Sequence, residues 1–170
     1  MKKISLFVLV LLLMNAAYSQ SCLPDGIEFS NQSQIDNFQA NYPGCTQIEG
    51  NVKFNGESIT NLDGLSLLTS IGGYMYITTN ANLASITGLS SLTSLGGSLL
   101  VSANPSLSSL EGLENLTYIG EDVFISNNNL LSDISALANV SEENVLALRI
   151  TGNPALSVCE VPFICNYLTS

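Results

Sequence analysis

The 170-residue sequence has no histidine and no tryptophan, and lysine and arginine together contribute only four residues. Without histidine, and with only four cysteines, the chain lacks the usual ligands of zinc and other transition metals. Proteins that bind nucleic acid use clusters of lysine and arginine against the phosphates, and no such cluster occurs. We therefore expect no metal, no cofactor and no nucleic acid as a partner.

Long apolar runs are also scarce, and the one at the N-terminus has the pattern of a secretory signal. Lys2 and Lys3 precede an apolar run over residues 4–14, and Ala17-Tyr18-Ser19 offers small residues for cleavage. The run is too short to span a bilayer, which takes about 20 residues. We predict a signal peptide over residues 1–19 and a protein that is secreted or held at the cell surface, with no transmembrane segment.

Cleavage before Gln20 would remove Lys2 and Lys3 but no acid, so that Lys53 and Arg149 face all 14 acidic residues. Solubility accounts for this acidity without a further role. A lipid anchor at Cys22 is an alternative, although Ser19-Gln20-Ser21 resembles the usual small, apolar lipidation signal poorly.

What the sequence does contain is a repeat of 23 to 25 residues, which predicts a solenoid. Successive repeats begin with an apolar residue, and a partial fifth one follows in VLALRITGNPALSVC. The residues at the head of the four full repeats are Ile48, Ile71, Leu95 and Ile119.

Each repeat carries a short alternation that predicts a strand with one buried face, as in Leu99 and Val101 or Met75 and Ile77. Apolar residues then follow at every third position. The glycine, serine, threonine and asparagine residues between them make a stable helix improbable. Gly64, Gly88 and Gly112 recur at one position and predict a tight bend.

The segments LLVSANPSL at Leu99–Leu107 and MYITTNANL at Met75–Leu83 resemble leucine-rich repeats. The helix-poor repeats, the opening IGG at Ile71 and the final NPALSVC at Asn153 are more similar to receptor L domains, over residues 22–168. This resemblance implies an all-β, right-handed, β-helix-like solenoid of about five coils. It also implies a module that binds partners and carries no catalytic residues.

We divide the chain into a signal peptide (1–19), an N-terminal cap (20–47), the repeat solenoid (48–158) and a C-terminal cap (159–170). A capping-box-like pair, Ser33 and Asp36, predicts a short capping helix over about Gln34 to Ala40. Five stacked coils would separate the two ends by roughly 20 Å, beyond the reach of a disulfide. The cysteines should therefore pair at each end, as Cys22–Cys45 and Cys159–Cys165.

Asparagine also recurs at one position of the repeat, where a stacked column of side chains could bond backbone groups left unpaired as each strand ends. We interpret this asparagine ladder as structural; its members are Asn80, Asn104, Asn128 and Asn153. The adjacent Glu121 and Asp122 do not form a calcium loop. No acid and base cluster suggests an enzyme such as a polysaccharide lyase, so we predict a non-enzymatic protein.

The alternation leaves one column of strand residues facing solvent, and this column is the candidate binding surface. Exposed aromatic and apolar groups rimmed by polar ones mark binding surfaces, although aromatics also form ordinary cross-strand pairs. We predict recognition of a protein or glycan at the cell surface; the alternative is a passive spacer without a ligand. The candidate residues are Lys53, Tyr74, Tyr76, Leu100, Phe124 and Arg149.

Overall fold

The computed structural model describes residues 20–156 together with Val161 and Ile164. The predicted signal peptide over residues 1–19 and the predicted Cys159–Cys165 disulfide lie outside the described residues. In the predicted C-terminal cap, Val161 and Ile164 are both buried.

The described chain is mostly β structure and forms two parallel sheets. Sheet 1 has five short strands, and sheet 2 has six. Sheet 1 consists of β1 (Gln20–Cys22), β3 (Cys45–Ile48), β5 (Ser70–Ile71), β7 (Ser94–Leu95) and β9 (Tyr118–Ile119). Sheet 2 consists of β2 (Ile27–Phe29), β4 (Val52–Phe54), β6 (Met75–Thr78), β8 (Leu99–Ser102), β10 (Val123–Ser126) and β11 (Leu148–Thr151).

Successive strands of the chain alternate between the two sheets up to β10, so each repeat gives one strand to each sheet. Within each sheet the spatial order follows the order in the chain, and every pair is parallel. The strands β1 and β2 join the same two sheets ahead of Ile48.

The core lies between the sheets and is filled by the apolar residues of the repeat. In β6, Met75 and Ile77 are fully buried, whereas Tyr76 and Thr78 remain partly exposed. The strands β8 and β10 repeat this alternation. The leucines that follow at every third position are also fully buried, as at Leu107, Leu110, Leu113 and Leu116.

Among the described residues, helices are few and short. The α-helices of this part of the chain, α1 (Gln32–Asp36) and α2 (Phe38–Asn41), lie near its N-terminal end, and four 3-10 helices connect its later strands. The 3-10 helices span Asp63–Leu65, Thr87–Leu89, Ser135–Leu137 and Glu142–Asn144.

The N-terminal cap differs from the predicted single helix over Gln34 to Ala40. The cap of α1 is Asn31 rather than Ser33, because the Asn31 side chain accepts the Gln34 N–H at 3.1 Å. The first helix ends at Asp36, and after Asn37 the second helix, α2, begins at Phe38. The predicted apolar face does form, since Ile35 and Phe38 are both fully buried.

A disulfide between Cys22 and Cys45 joins β1 to the neighbouring strand β3, with 5.7 Å between the two Cα atoms. This confirms the predicted pairing at the N-terminal end. The bond ties the first strand of sheet 1 to the stack.

The glycines at the recurrent position lie in tight turns, as predicted: Gly64 and Gly88 lie within 3-10 helices, and Gly112 lies in a turn. A Cβ at Gly88 would overlap the Leu62 carbonyl, and one at Gly64 would overlap the Ile35 carbonyl. Only Gly112 of the three has a positive φ, at +111°. The shared requirement is therefore the close approach of one repeat to the preceding one.

The asparagine ladder runs through the interior along the end of sheet 2, and all four side chains are buried. Asn104 Oδ1 accepts the backbone N–H of Asn80 at 3.1 Å and its side-chain amide at 3.0 Å. Asn104 Nδ2 in turn donates to the Ile77 carbonyl at 2.8 Å. Each asparagine thus bonds one backbone N–H and one backbone carbonyl of the preceding repeat.

We expect Asn104→Leu to lower the free energy of unfolding by roughly 2 to 6 kcal/mol. The substitution leaves the buried Asn80 N–H and Ile77 carbonyl without these partners, at about 1 to 3 kcal/mol for each orphaned group. Urea unfolding followed by circular dichroism measures the change. The control is Asn129→Leu, an exposed position, and equal midpoints for the two variants would contradict a stabilising ladder.

A second set of side chains, at the surface, forms hydrogen bonds between successive repeats. Asn82 Nδ2 donates to the Glu57 carbonyl at 2.8 Å, and Ser106 Oγ donates to the Ala81 carbonyl at 2.7 Å. Leu130 holds the equivalent place in the next repeat, cannot donate, and is 58% exposed.

Replacing Leu130 with asparagine should stabilise the protein by about 0.5 to 1 kcal/mol. The new side chain would donate to the Pro105 carbonyl as Asn82 donates to Glu57. Thermal unfolding of the wild type, Leu130→Asn and Leu130→Ala measures the effect. A gain in the alanine variant as large as that in the asparagine variant would refute the hydrogen bond as its cause.

Candidate functional site

The outer face of sheet 2 presents one aligned column of side chains, which we name the outer column. Register pairs each member with the next across neighbouring strands. Their neighbours along each strand from β4 to β10 point into the core, so the column faces away from it. The outer column consists of Glu28, Lys53, Tyr76, Leu100, Phe124 and Arg149.

Tyr74 lies two residues before Tyr76 and adds a second ring on this face. The two rings are stacked, with 4.0 Å between centroids and 20° between planes. Both side chains are partly exposed. We name this stacked pair of rings the aromatic block.

Lys53 is positioned against this aromatic block. Its Nζ lies 5.6 Å from the centroid of the Tyr74 ring, within cation–π range. A hydrogen bond with the Tyr74 side chain, followed by electrostatic interactions with Tyr74 and Glu28, raises the pKa of Lys53 above 10.5. Lys53 is therefore a cation throughout the physiological pH range.

The aromatic block borders a shallow depression of about 220 Å³. We name this region the tyrosine end. Its polar groups include acidic side chains and the basic side chain of Lys53. They also include the amide of Asn51, whose Oδ1 accepts the backbone N–H of Tyr74 at 3.1 Å. The tyrosine end comprises Asp25, Glu28, Asn51, Lys53, Tyr74 and Tyr76.

The opposite end of the outer column is more apolar. Leu100 and Phe124 are partly exposed and line a second depression, of about 360 Å³, together with the exposed Arg149. Hydroxyl groups border it, and Ser126 Oγ lies 3.0 Å from Ser102 Oγ. We name this region the phenylalanine end; its lining is Leu100, Phe124, Ser126, Asn127, Arg149 and Thr151.

The structure aligns the candidate residues on one face but does not gather them into one pocket. Four strand spacings separate Lys53 from Arg149, which corresponds to about 19 Å. The two cations therefore belong to different ends of the face. The asparagine ladder lies inside the protein and is not accessible to a ligand.

Sequence reasoning missed Glu28, Asp25 and Asn51. Glu28 could have been found, because Ile27-Glu28-Phe29 has the same pattern as Val52-Lys53-Phe54 in the following repeat. Asn51 holds the same repeat position as Tyr74, one residue before the strand, but its residue type differs from that of Tyr74, and Asp25 lies two residues before β2. Their place at the tyrosine end follows from the folded chain.

The family model described as Receptor L domain matches residues 44–134 of this chain. This match covers more than half of the sequence, and the protein belongs to the receptor L domain family. Receptor L domains are ligand-binding, non-enzymatic modules. The matched segment includes five of the six predicted site residues and stops before Arg149.

A search of curated proteins found no match. Among the described residues, no helix combines the length and the apolar character that crossing a membrane requires.

Replacing Tyr74 with phenylalanine should lower the pKa of Lys53, because it removes the hydrogen bond that contributes most to the shift. Residues 20–170 contain a single lysine, so lysine labelled with carbon-13 gives one side-chain signal to titrate by NMR. The matched control is Tyr118→Phe, which changes a tyrosine on sheet 1. An unchanged Lys53 pKa in Tyr74→Phe would contradict the hydrogen bond between Lys53 and the Tyr74 side chain.

Proposed function

We propose that this protein is an extracellular recognition module that binds a protein or glycan through the outer face of sheet 2 and catalyses no reaction. The proposal includes secretion after removal of residues 1–19 and a right-handed β-helix of about five coils. Membership in a family of ligand-binding modules and the Cys22–Cys45 disulfide support it, since disulfides persist in oxidising compartments.

The observation that carries the proposal is the aligned outer column. Three aromatic side chains and one leucine stand partly exposed on a single sheet face. The two cations of residues 20–170 lie on that same face. Interface anchors are enriched in tyrosine and arginine, and exposed apolar groups with a polar border are typical of interaction surfaces.

Two exposed leucines lie elsewhere on the surface, away from the outer column. Leu67 and Leu130 are 55% and 58% exposed, but neither lies in a strand of sheet 2. They are suitable control positions for an apolar residue whose removal should not affect binding at the proposed face.

We expect Tyr76→Thr/Phe124→Thr to abolish ligand binding while the protein remains folded. Threonine keeps strand propensity but removes both rings from the outer column. The measurement is binding of purified residues 20–170 to a glycan array and to a panel of cell-surface proteins. Circular dichroism and thermal unfolding verify that each variant is folded.

The matched control is Leu67→Thr/Leu130→Thr, which removes two exposed leucines from other parts of the surface and should bind as the wild type does. Equal loss of binding in both double variants would place the ligand elsewhere. The absence of any ligand for the folded wild type would favour the alternative, a passive spacer. Release of sugar products from a polysaccharide would overturn the non-enzymatic assignment.

A further inference from the structure

We propose that the tyrosine end is a carbohydrate subsite that holds one ring of a neutral oligosaccharide. This inference rests on the recognition function proposed above, because it names the ligand class for one end of the same face. Its observations are the stacked rings of Tyr74 and Tyr76, the mixed polar groups around them, and the placement of Lys53.

The stacked rings provide the apolar contacts that a sugar ring would need. A pyranose ring has faces covered mainly by C–H groups, and such a face packs favourably on an aromatic plane, as other apolar groups do. The Tyr74 and Tyr76 rings are stacked face to face, with 4.0 Å between centroids and 20° between planes, so each ring covers one face of the other, and Tyr74 lines the depression. Both rings are partly exposed and are therefore accessible to such a ligand.

The groups around the rings supply the polar half. Sugar hydroxyls both donate and accept hydrogen bonds, and a hydroxyl that loses water without gaining a partner costs about 1 to 3 kcal/mol. Asp25 and Glu28 can accept, Lys53 can donate, and Asn51 retains its amide N–H groups because its Oδ1 already accepts from Tyr74. This mixed set suits a polyhydroxyl ligand better than a single charged group.

The charges disfavour other ligands at this end. The carboxylates of Asp25 and Glu28 would repel an anionic sugar or a phosphate. A lysine or arginine from a protein partner would meet the ammonium of Lys53, which already lies 5.6 Å from the Tyr74 ring. An apolar anchor from a protein has a better match at the phenylalanine end, where Leu100 and Phe124 line the depression.

The test is an NMR titration of residues 20–170, labelled on lysine and tyrosine, with four neutral oligosaccharides. The probes are linear oligomers of β-1,4-glucose, α-1,4-glucose, β-1,4-N-acetylglucosamine and α-1,6-mannose. At least one should shift the Lys53 signal and a tyrosine ring signal saturably. The apparent Kd should change by less than about twofold between roughly 50 and 500 mM salt, because no net charge is neutralised.

Two double variants separate the ends of the face. Tyr74→Ser/Tyr76→Ser should weaken binding of that sugar by about tenfold or more, because it removes the aromatic block. Leu100→Ser/Phe124→Ser should leave the affinity within about twofold. Tyr74→Phe/Tyr76→Phe keeps both rings, and retained binding in this variant identifies the rings rather than a folding defect as the cause.

No saturable shift with any of the four sugars overturns the carbohydrate subsite, as does sugar binding that depends on Leu100 and Phe124 but not on the tyrosines. A protein ligand that is lost only in Leu100→Ser/Phe124→Ser would overturn the subsite while upholding the proposed recognition function. If the folded wild type binds neither a sugar nor a protein, both the carbohydrate subsite and the proposed recognition function are overturned.

Discussion

The structure depends on one constraint: successive repeats must stack in register at strand spacing. The asparagine ladder enforces it from the inside, because each side chain bonds backbone groups of the preceding repeat. The recurrent glycines permit it, since a Cβ at Gly64 or Gly88 would overlap the preceding repeat. A slip of one residue would move every core side chain of a strand to the opposite face.

The same constraint creates the outer face of sheet 2. Because register places equivalent positions side by side, a polar or aromatic residue at one position of the repeat becomes part of a continuous column. The core positions of the repeat are held by packing, whereas this column is free to vary. Variation from Lys53 to Tyr76, Leu100, Phe124 and Arg149 gives the face two chemically different ends without altering the stack.

Much of this arrangement could be predicted from the sequence. The alternation predicted which strand residues are buried, and the repeat predicted that Tyr76, Leu100 and Phe124 share a face, because both follow from a strict period. The helix start at Asn31 could not be predicted with the same certainty, since Asn31 and Ser33 are both good capping residues and tertiary contacts decide between them. The Tyr74 stack and the contact with Lys53 depend on side-chain rotamers, and residue spacing does not determine these.

The central claim is that the outer column contacts the ligand, and photo-crosslinking tests it most directly. Residues 20–170 would carry a benzophenone side chain at position 124 in one protein and at position 67 in another. Both would be irradiated on cells to which the unmodified protein binds. The account predicts a covalent adduct with a cell-surface protein or glycan from position 124 and none from position 67. An adduct from position 67 alone would contradict it.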